Sequence, residues 1–174
     1  MPVHIRNCTP ADHAAVSEVV TAAFEQPDEA NLIRAVRDAC DPNKLLELVL
    51  ETEAGVVGHI LFSPVTIGKK REKPVEGMGL GPVAVHPDHQ RGGRGSALIR
   101  LGLMKLKQRD CSFAVVLGDP AFYARFGFEP AEPRGITCLW EDAGPAFQVL
   151  ELTPGGLDEV TGLARYRPEF AVFG

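Results

Sequence analysis

Residues 90–96 read Gln-Arg-Gly-Gly-Arg-Gly-Ser, and the chemistry they suit is anion binding. Three glycines among residues 92–95 let the backbone take positive φ and approach a ligand with no Cβ in the way, so successive N–H groups can face one concavity. A helix starting at this point adds unpaired amides and the positive end of its dipole, and Arg91 and Arg94 add full charges. The loop therefore predicts a phosphate or pyrophosphate ligand. Two nucleotide fingerprints do not fit. The phosphate-binding Gly-Lys-Ser/Thr ending is replaced by Arg94-Gly95-Ser96, and no window matches G-x-G-x-x-G. Gln90, Gly93 and Gly95 do make a Gln-x-x-Gly-x-Gly pattern.

Other residues able to do chemistry are dispersed. His59 has an ordinary pKa in the physiological range, but a lone histidine on a strand is more often structural. His86 and His89 flank the loop beside Pro87 and read as a surface pair, not a metal site. Cys8, Cys40, Cys111 and Cys138 have no C-x-x-C pair and no histidines at zinc spacing, so they read as reduced, mostly buried thiols, with neither metal nor disulfide implied.

The elements that position the loop are legible on either side of it. A β-branched run around Val83 and Val85, closed by Pro87, predicts a strand. Ala97, Leu98, Leu101 and Met104 predict one face of a helix. Upstream, Val3 to Arg6 reads as a short strand, and Thr9-Pro10-Ala11-Asp12 supplies a capping threonine, an N1 proline and an acid for a first helix. That helix would turn Val16, Val19, Val20, Ala23 and Phe24 inward, and a second from Asp28 would bury Leu32, Ile33, Val36, Ala39 and Cys40. Leu45 to Thr52 and Val56 to Ile67 predict a hairpin, with the cationic segment Gly68 to Pro74 as a solvated tip before the next strand, Met78 to Val85. Phe113 to Leu117 is an apolar run suited to a strand covered on both faces, lying beside the Val83 strand. Gly118-Asp119-Pro120 then caps a short helix carrying Phe122, Tyr123 and Phe126 and ended by Gly127. Ile136 to Leu139 and Phe147 to Leu152 read as closing strands, and the periodicity fades from Pro154 onward.

A length of 174 residues at 45% hydrophobic content suits a single domain, 1–174, with 153–174 as a C-terminal tail. No apolar run has the length of a signal peptide's core or a membrane helix, so the expected location is cytoplasmic. A net charge of −5 argues against nucleic acid as a partner and favours cationic substrates. The expected assembly is a monomer or homodimer, away from membranes.

Val-Ala-Val-His-Pro before Gln90-x-x-Gly93-x-Gly95, an amphipathic helix after it, and Phe122-Tyr123-x-x-x-Gly127-Phe128 together resemble the GNAT superfamily of acyl-CoA-dependent N-acyltransferases. The run Leu-Gly-Pro-Val-Ala-Val-His-Pro followed by Val-Leu-Gly-Asp-Pro is similar to the bacterial YhbS-type predicted N-acetyltransferases. The resemblance implies a mixed α/β, α+β-like fold: a central, mostly antiparallel sheet of six to seven strands with a V-shaped splay between strands 4 and 5, flanked by about four helices. It also implies acetyl-CoA as cosubstrate and no metal. Val83, Ala84 and Val85 would pair with the pantetheine arm, and Gln90, Arg91, Gly92, Gly93, Arg94, Gly95 and Ser96 would hold the pyrophosphate. Asp119 and Tyr123 would complete the cofactor contacts.

Acetyl transfer from a thioester to an amine needs the amine deprotonated and the departing thiolate protonated. By the resemblance Tyr123 is the general acid; for the base, Glu76 lies close to the strand position where the family places an acid, His59 offers an ordinary pKa near 6.5, and a water chain to solvent is the further alternative. The implied activity is transfer of an acetyl group to a primary amine of a small molecule or protein, by direct attack in a ternary complex. The alternative is a non-catalytic acyl-CoA-binding or sensing module, which has no reason to keep a phenol at position 123.

Overall fold

The computed structural model describes residues 2–173, which form two compact units, each made of two stretches of chain: residues 2–62 with 81–102, and 63–80 with 103–173. The fold is mixed α/β with a mostly antiparallel sheet.

In the first unit, β1 (His4–Asn7) lies antiparallel to β2 (Leu46–Thr52), which pairs antiparallel with β3 (Gly55–Gly68) from Thr52↔Gly55 to Leu46↔Phe62. Between β1 and β2 run α1 (His13–Phe24) and α2 (Asp28–Ala39). The expected cap is present. Asp12 Oδ2 accepts from the Thr9 amide at 2.8 Å, and a short 3-10 turn over Pro10–Asp12 leads into α1. Val16, Val19 and Val20 of α1 and Leu32, Ile33, Val36 and Cys40 in or just after α2 are buried as read, whereas Ala23 is half-buried, Phe24 is 39% exposed and Ala39 faces solvent, all in the last turn of their helices.

The strand β4 (Val75–Val85) and the helix α3 (Arg94–Gln108) carry the glycine loop between them. The buried face of α3 is Leu98, Ile99, Gly102, Leu103 and Leu106. This corrects the predicted face, of which only Leu98 is buried: Ala97 is exposed, Leu101 half-buried and Met104 49% exposed. The reason is Gly102. A Cβ there would lie 2.7 Å from Cζ of the fully buried Phe62, so the helix comes closest at its glycine, a residue that a search for large apolar side chains passes over.

In the second unit, β4 pairs in parallel with β5 (Phe113–Leu117), Met78↔Ala114 to Leu80↔Val116, and this register stops where Gly81-Pro82 begins. Pro82 has no amide to donate, which suits a strand leaving its partner. β5 pairs antiparallel with β8 (Phe147–Glu151), and β8 with the two-residue β6 (Glu129–Pro130). The short helix α4 (Pro120–Ala124) precedes β6. Phe113 to Val116 are fully covered, as expected for a strand with both faces packed, while Leu117 is 42% exposed.

The tail is ordered. Its β9 (Gly162–Arg165) pairs antiparallel with the end of β3 and in parallel with β7 (Ile136–Thr137), and Leu157, Val160, Ala164 and Phe170 are buried. With β6, β7 and β9, each four residues or shorter, the strands number nine among the described residues. The core of this unit gathers Val65, Ile67, Phe113, Val115, Phe147 and Val149 around Ile136 and Ala164.

Candidate active site

Three successive residues of the loop take the left-handed conformation: Arg91 at φ 82°, Gly92 at 80° and Gly93 at 73°. Turned this way, their amides converge instead of alternating. The first bond of α3 runs from Ala97 N to Gly93 O at 2.9 Å, so by helix geometry the amides of Gly93 to Gly95 have no acceptor within the helix. The loop is fixed at both ends. Gln90 Nε2 donates to Val85 O at 3.0 Å, and Arg94 Nη1 donates to His89 O at 2.7 Å. Gln90 therefore ties the loop to the end of β4, and Arg94 braces its own turn.

A Cβ on Gly92 or Gly93 would meet nothing within 4 Å, and one on Gly95 would meet only Val85 Cγ2 at 4.0 Å. The glycines are thus not required by packing within the protein. At Gly92 and Gly93 the positive φ requires them, whereas Gly95 has neither reason and leaves open space over the helix start. Along β4, Val83 and Val85 are half-buried and Ala84 is buried. His86 accepts from Asp88 N through Nδ1 at 3.1 Å and packs edge-on against His89, which makes this pair a cap on the turn Pro87–His89.

The histidine proposed as a base lies elsewhere. His59 is completely buried on β3, with Nε2 2.6 Å from Glu47 Oε2, and Glu47 is held by Arg37 through Nε at 3.1 Å. Burial lowers the His59 pKa despite the carboxylate, so the ring is neutral and donates Nε2–H, leaving Nδ1 buried without a partner. Burial alone would raise Glu47, but the hydrogen bonds from His59 and Arg37 outweigh it and bring the carboxyl down to about 2. Cys8 and His13 approach the same carboxylate, with one ligand atom of each of the three within 4.8 Å of the others. This grouping was not visible from cysteine spacing. Burial and the Glu47 charge push the Cys8 thiol up to about 12, so it stays protonated while the Glu47 oxygens serve Arg37 and His59.

In the second unit, Asp119 caps α4, accepting from Ala121 N at 3.0 Å. This aims Tyr123 into an aromatic nest, with ring centroids 5.0 Å from Phe122 and 5.8 Å from Phe128. Tyr123 is 9% exposed, and burial raises its phenol above the ordinary value of 10. It holds its proton at neutral pH. Glu76 lies within β4, two residues before the predicted strand start, and is exposed.

Sequence reasoning missed Tyr166. Its ring crosses β4 at Gly79, where a Cβ would lie 2.9 Å from Tyr166 Cε2, and packs edge-on against Trp140 with centroids 5.1 Å apart. The hydroxyl is shut off from solvent without a hydrogen-bond partner, and burial, then the charges of Cys138 and Tyr123, raise its pKa. The one available signal was Trp140, the single tryptophan in the chain.

A family profile described as "Acetyltransferase (GNAT) domain" matches residues 4–131. The uncharacterized N-acetyltransferase YhbS of Escherichia coli (strain K12) is 34% identical over 170 residues, covering 97% of this chain and 99% of that protein. The crystal structure of E. coli YhbS in complex with CoA superposes with a TM-score of 0.90 over 99% of this chain and 93% of that one. A GNAT family acetyltransferase from Brucella melitensis, crystallised with acetyl-CoA, is 35% identical with a TM-score of 0.77, covering 97% and 98%. With its loop, strand order and near full-length likeness in agreement, the chain belongs to the GNAT acetyltransferase family.

Proposed function

We propose that this protein transfers the acetyl group of acetyl-CoA to a primary amine by direct attack in a ternary complex, with residues 1–174 acting as one catalytic domain. The observation that carries the reading is the run of left-handed residues Arg91, Gly92 and Gly93 ahead of α3, which presents amides to a pyrophosphate. The relatives crystallised with CoA and acetyl-CoA support the same cosubstrate. No helix among the described residues is long and apolar enough to cross a membrane, and we assign the reaction to the cytoplasm, where acetyl-CoA is available.

The neutral amine nitrogen attacks the thioester carbonyl, and the oxygen gathers negative charge. Backbone N–H groups at Val83 or Val85 suit that charge because their positions are fixed before reaction. The C–S bond then breaks, the nitrogen sheds its extra proton, and the departing thiolate takes a proton from the Tyr123 hydroxyl. Burial of Tyr123 serves this step by keeping the phenol protonated. Of the two residues considered as base, Glu76 reaches solvent and can pass a proton outward, while His59 has no exposed atom and its Nε2–H is committed to Glu47.

Thiol release from acetyl-CoA, followed with a panel of amines, tests the reading. Amine-dependent release with formation of the N-acetyl product is expected. CoA binding with no release for any amine would make the chain an acyl-CoA-binding module.

A further inference from the structure

Gln148 on β8 is a polar side chain only 1% exposed, opposite Val116 in the register with β5. A buried amide is costly unless it is hydrogen-bonded, and this one joins two carbonyls: Nε2 donates to Gly118 O and to Ala146 O, both at 3.2 Å. Gly118 lies one residue past Leu117↔Phe147, the last pair of the β5–β8 register, and its own amide donates to the same Ala146 O at 3.0 Å. Where the ladder ends, the Gln148 side chain takes over as donor to the strand carbonyl. Gly118 is thus held at its N–H by Ala146 and at its C=O by Gln148.

Tyr123 rests on this glycine. A Cβ on Gly118 would lie 2.5 Å from Cε2, 3.1 Å from Cδ2 and 3.5 Å from Cζ of the Tyr123 ring, and its φ lies outside the left-handed region. Room for the phenol ring, not backbone conformation, is what requires glycine there. The chain passes directly from Gly118 into the helix cap, where Asp119 Oδ1 accepts from Ala121 N and Tyr123 N donates to Asp119 O at 3.1 Å. After the helix, Gly127 returns to the same face of the sheet: a Cβ on it would lie 3.1 Å from Cδ1 of Leu150, two residues on from Gln148. All of these residues belong to the second unit.

Resting on the reading of Tyr123 as the acid that protonates the departing thiolate, we propose that Gln148 is a positioning residue for this reaction. Through its bond to Gly118 O it holds the peptide on which the phenol ring lies, and so sets where the Tyr123 hydroxyl points. Proton transfer needs hydrogen-bond distance between the hydroxyl and the sulfur, and a displacement of about 1 Å can cost about 10²-fold in rate.

Gln148→Met keeps the length of the side chain and removes its donors. Turnover is expected to fall about tenfold, with KM for acetyl-CoA and the CoA dissociation constant within about twofold of the parent. Added to Tyr123→Phe, the same substitution should lower turnover by less than about twofold more, because the hydroxyl through which it acts is already gone. Gln148→Glu tests rescue by protonation. Burial beside two carbonyl oxygens raises the introduced carboxyl's pKa, so its acid form, able to donate to one carbonyl, is present at low pH and lost as pH rises. The ratio of variant to parent turnover should therefore fall between about pH 6 and about pH 9, and this comparison stands in if the methionine variant does not fold. The chain has two tyrosines, Tyr123 and Tyr166, so the full-length protein labelled with fluorotyrosine gives two fluorine resonances. Gln148→Met should shift or broaden the one that Tyr123→Phe removes. With Tyr123→Phe itself slow, the proposal would be overturned by turnover of folded Gln148→Met within twofold of the parent or by an equal further loss in the Tyr123→Phe background. An unmoved Tyr123 resonance or a variant-to-parent ratio flat with pH would overturn it as well. The resonance needs no turnover, so a shifted Tyr123 signal in a protein whose Tyr123→Phe variant turns over normally would refute the acid role and leave Gln148 as what places the ring.

Discussion

Replacing Gly95 by alanine separates what the loop does for the fold from what it does for the ligand. Gly95 sits in the first turn of α3 with ordinary helical backbone, and the added methyl would find its nearest neighbour, Val85 Cγ2, at 4.0 Å. No internal clash arises, and exchanging glycine for alanine inside a helix is worth about 0.5–1 kcal/mol in favour of folding. The melting temperature should stay level or rise by about 2–4 °C, the shift expected for about 1 kcal/mol in a chain of this size. The methyl projects into the space over the helix start, where a pyrophosphate bound to the loop amides must approach closely. CoA affinity should fall about tenfold, equivalent to about 1.4 kcal/mol. Calorimetric titration of CoA with parent and variant, alongside thermal melts, reads both effects. A protein as stable as the parent that binds CoA equally well would refute a pyrophosphate seated on this helix start. At Gly93, by contrast, φ of 73° strains alanine in the free protein, so loss of binding there would mix fold and ligand effects.

The same substitution about two turns further along α3 should have the opposite sign: Gly102→Ala drives a methyl into the Phe62 ring, 2.7 Å from Cζ, and overpacking of that kind costs about 1–3 kcal/mol, so its melting temperature should fall, and an unchanged one would contradict the packing described. Acid should destabilise the protein through the Arg37–Glu47–His59 network. His59 is depressed in the folded state, so its contribution is complete above the unfolded pKa near 6.5 and is lost as pH drops, and Glu47, brought from 4.5 to about 2, adds a second loss below about 4.5, on the order of 3 kcal/mol. Denaturant midpoints measured between pH 7.5 and 3.5 should fall through that window, and a flat profile would remove the network from the stability of the fold. Turnover should rise with pH as the acceptor amine loses its proton, and a rate level from acid to alkaline pH would show that no titrating amine or base limits the reaction.

Much of the loop and of the Tyr123 helix was readable because their signals are local. Glycine spacing, a capping threonine and an N1 proline act within a few residues, and loop, helix starts and the Tyr123 helix all lie where those residues put them. What escaped reading depends on partners distant in sequence. The inward face of α3 follows from Phe62 pressing on Gly102, and the four-residue β9 is a strand because β3 and β7 offer it edges. His59 was readable only as a lone strand histidine, more often structural than not, and the reason it is structural is Glu47, twelve residues earlier on the neighbouring strand, which takes its Nε2. Tyr166 lies in the tail whose periodicity had faded, and only the packing on Gly79 and Trp140 reveals it.

The central claim of the proposed function is that the Tyr123 phenol protonates the departing thiolate. Tyr123→Phe keeps the ring and its packing on Phe122 and Phe128 and removes only the hydroxyl, which makes no hydrogen bond among the described residues. Turnover number and CoA dissociation constant should be measured on that one variant, with the best acceptor found. The account predicts CoA affinity within about twofold of the parent and turnover lower by about 10²-fold or more, the usual weight of a general acid. Turnover within twofold of the parent would contradict it, and so would a loss of CoA binding as large as the loss of rate.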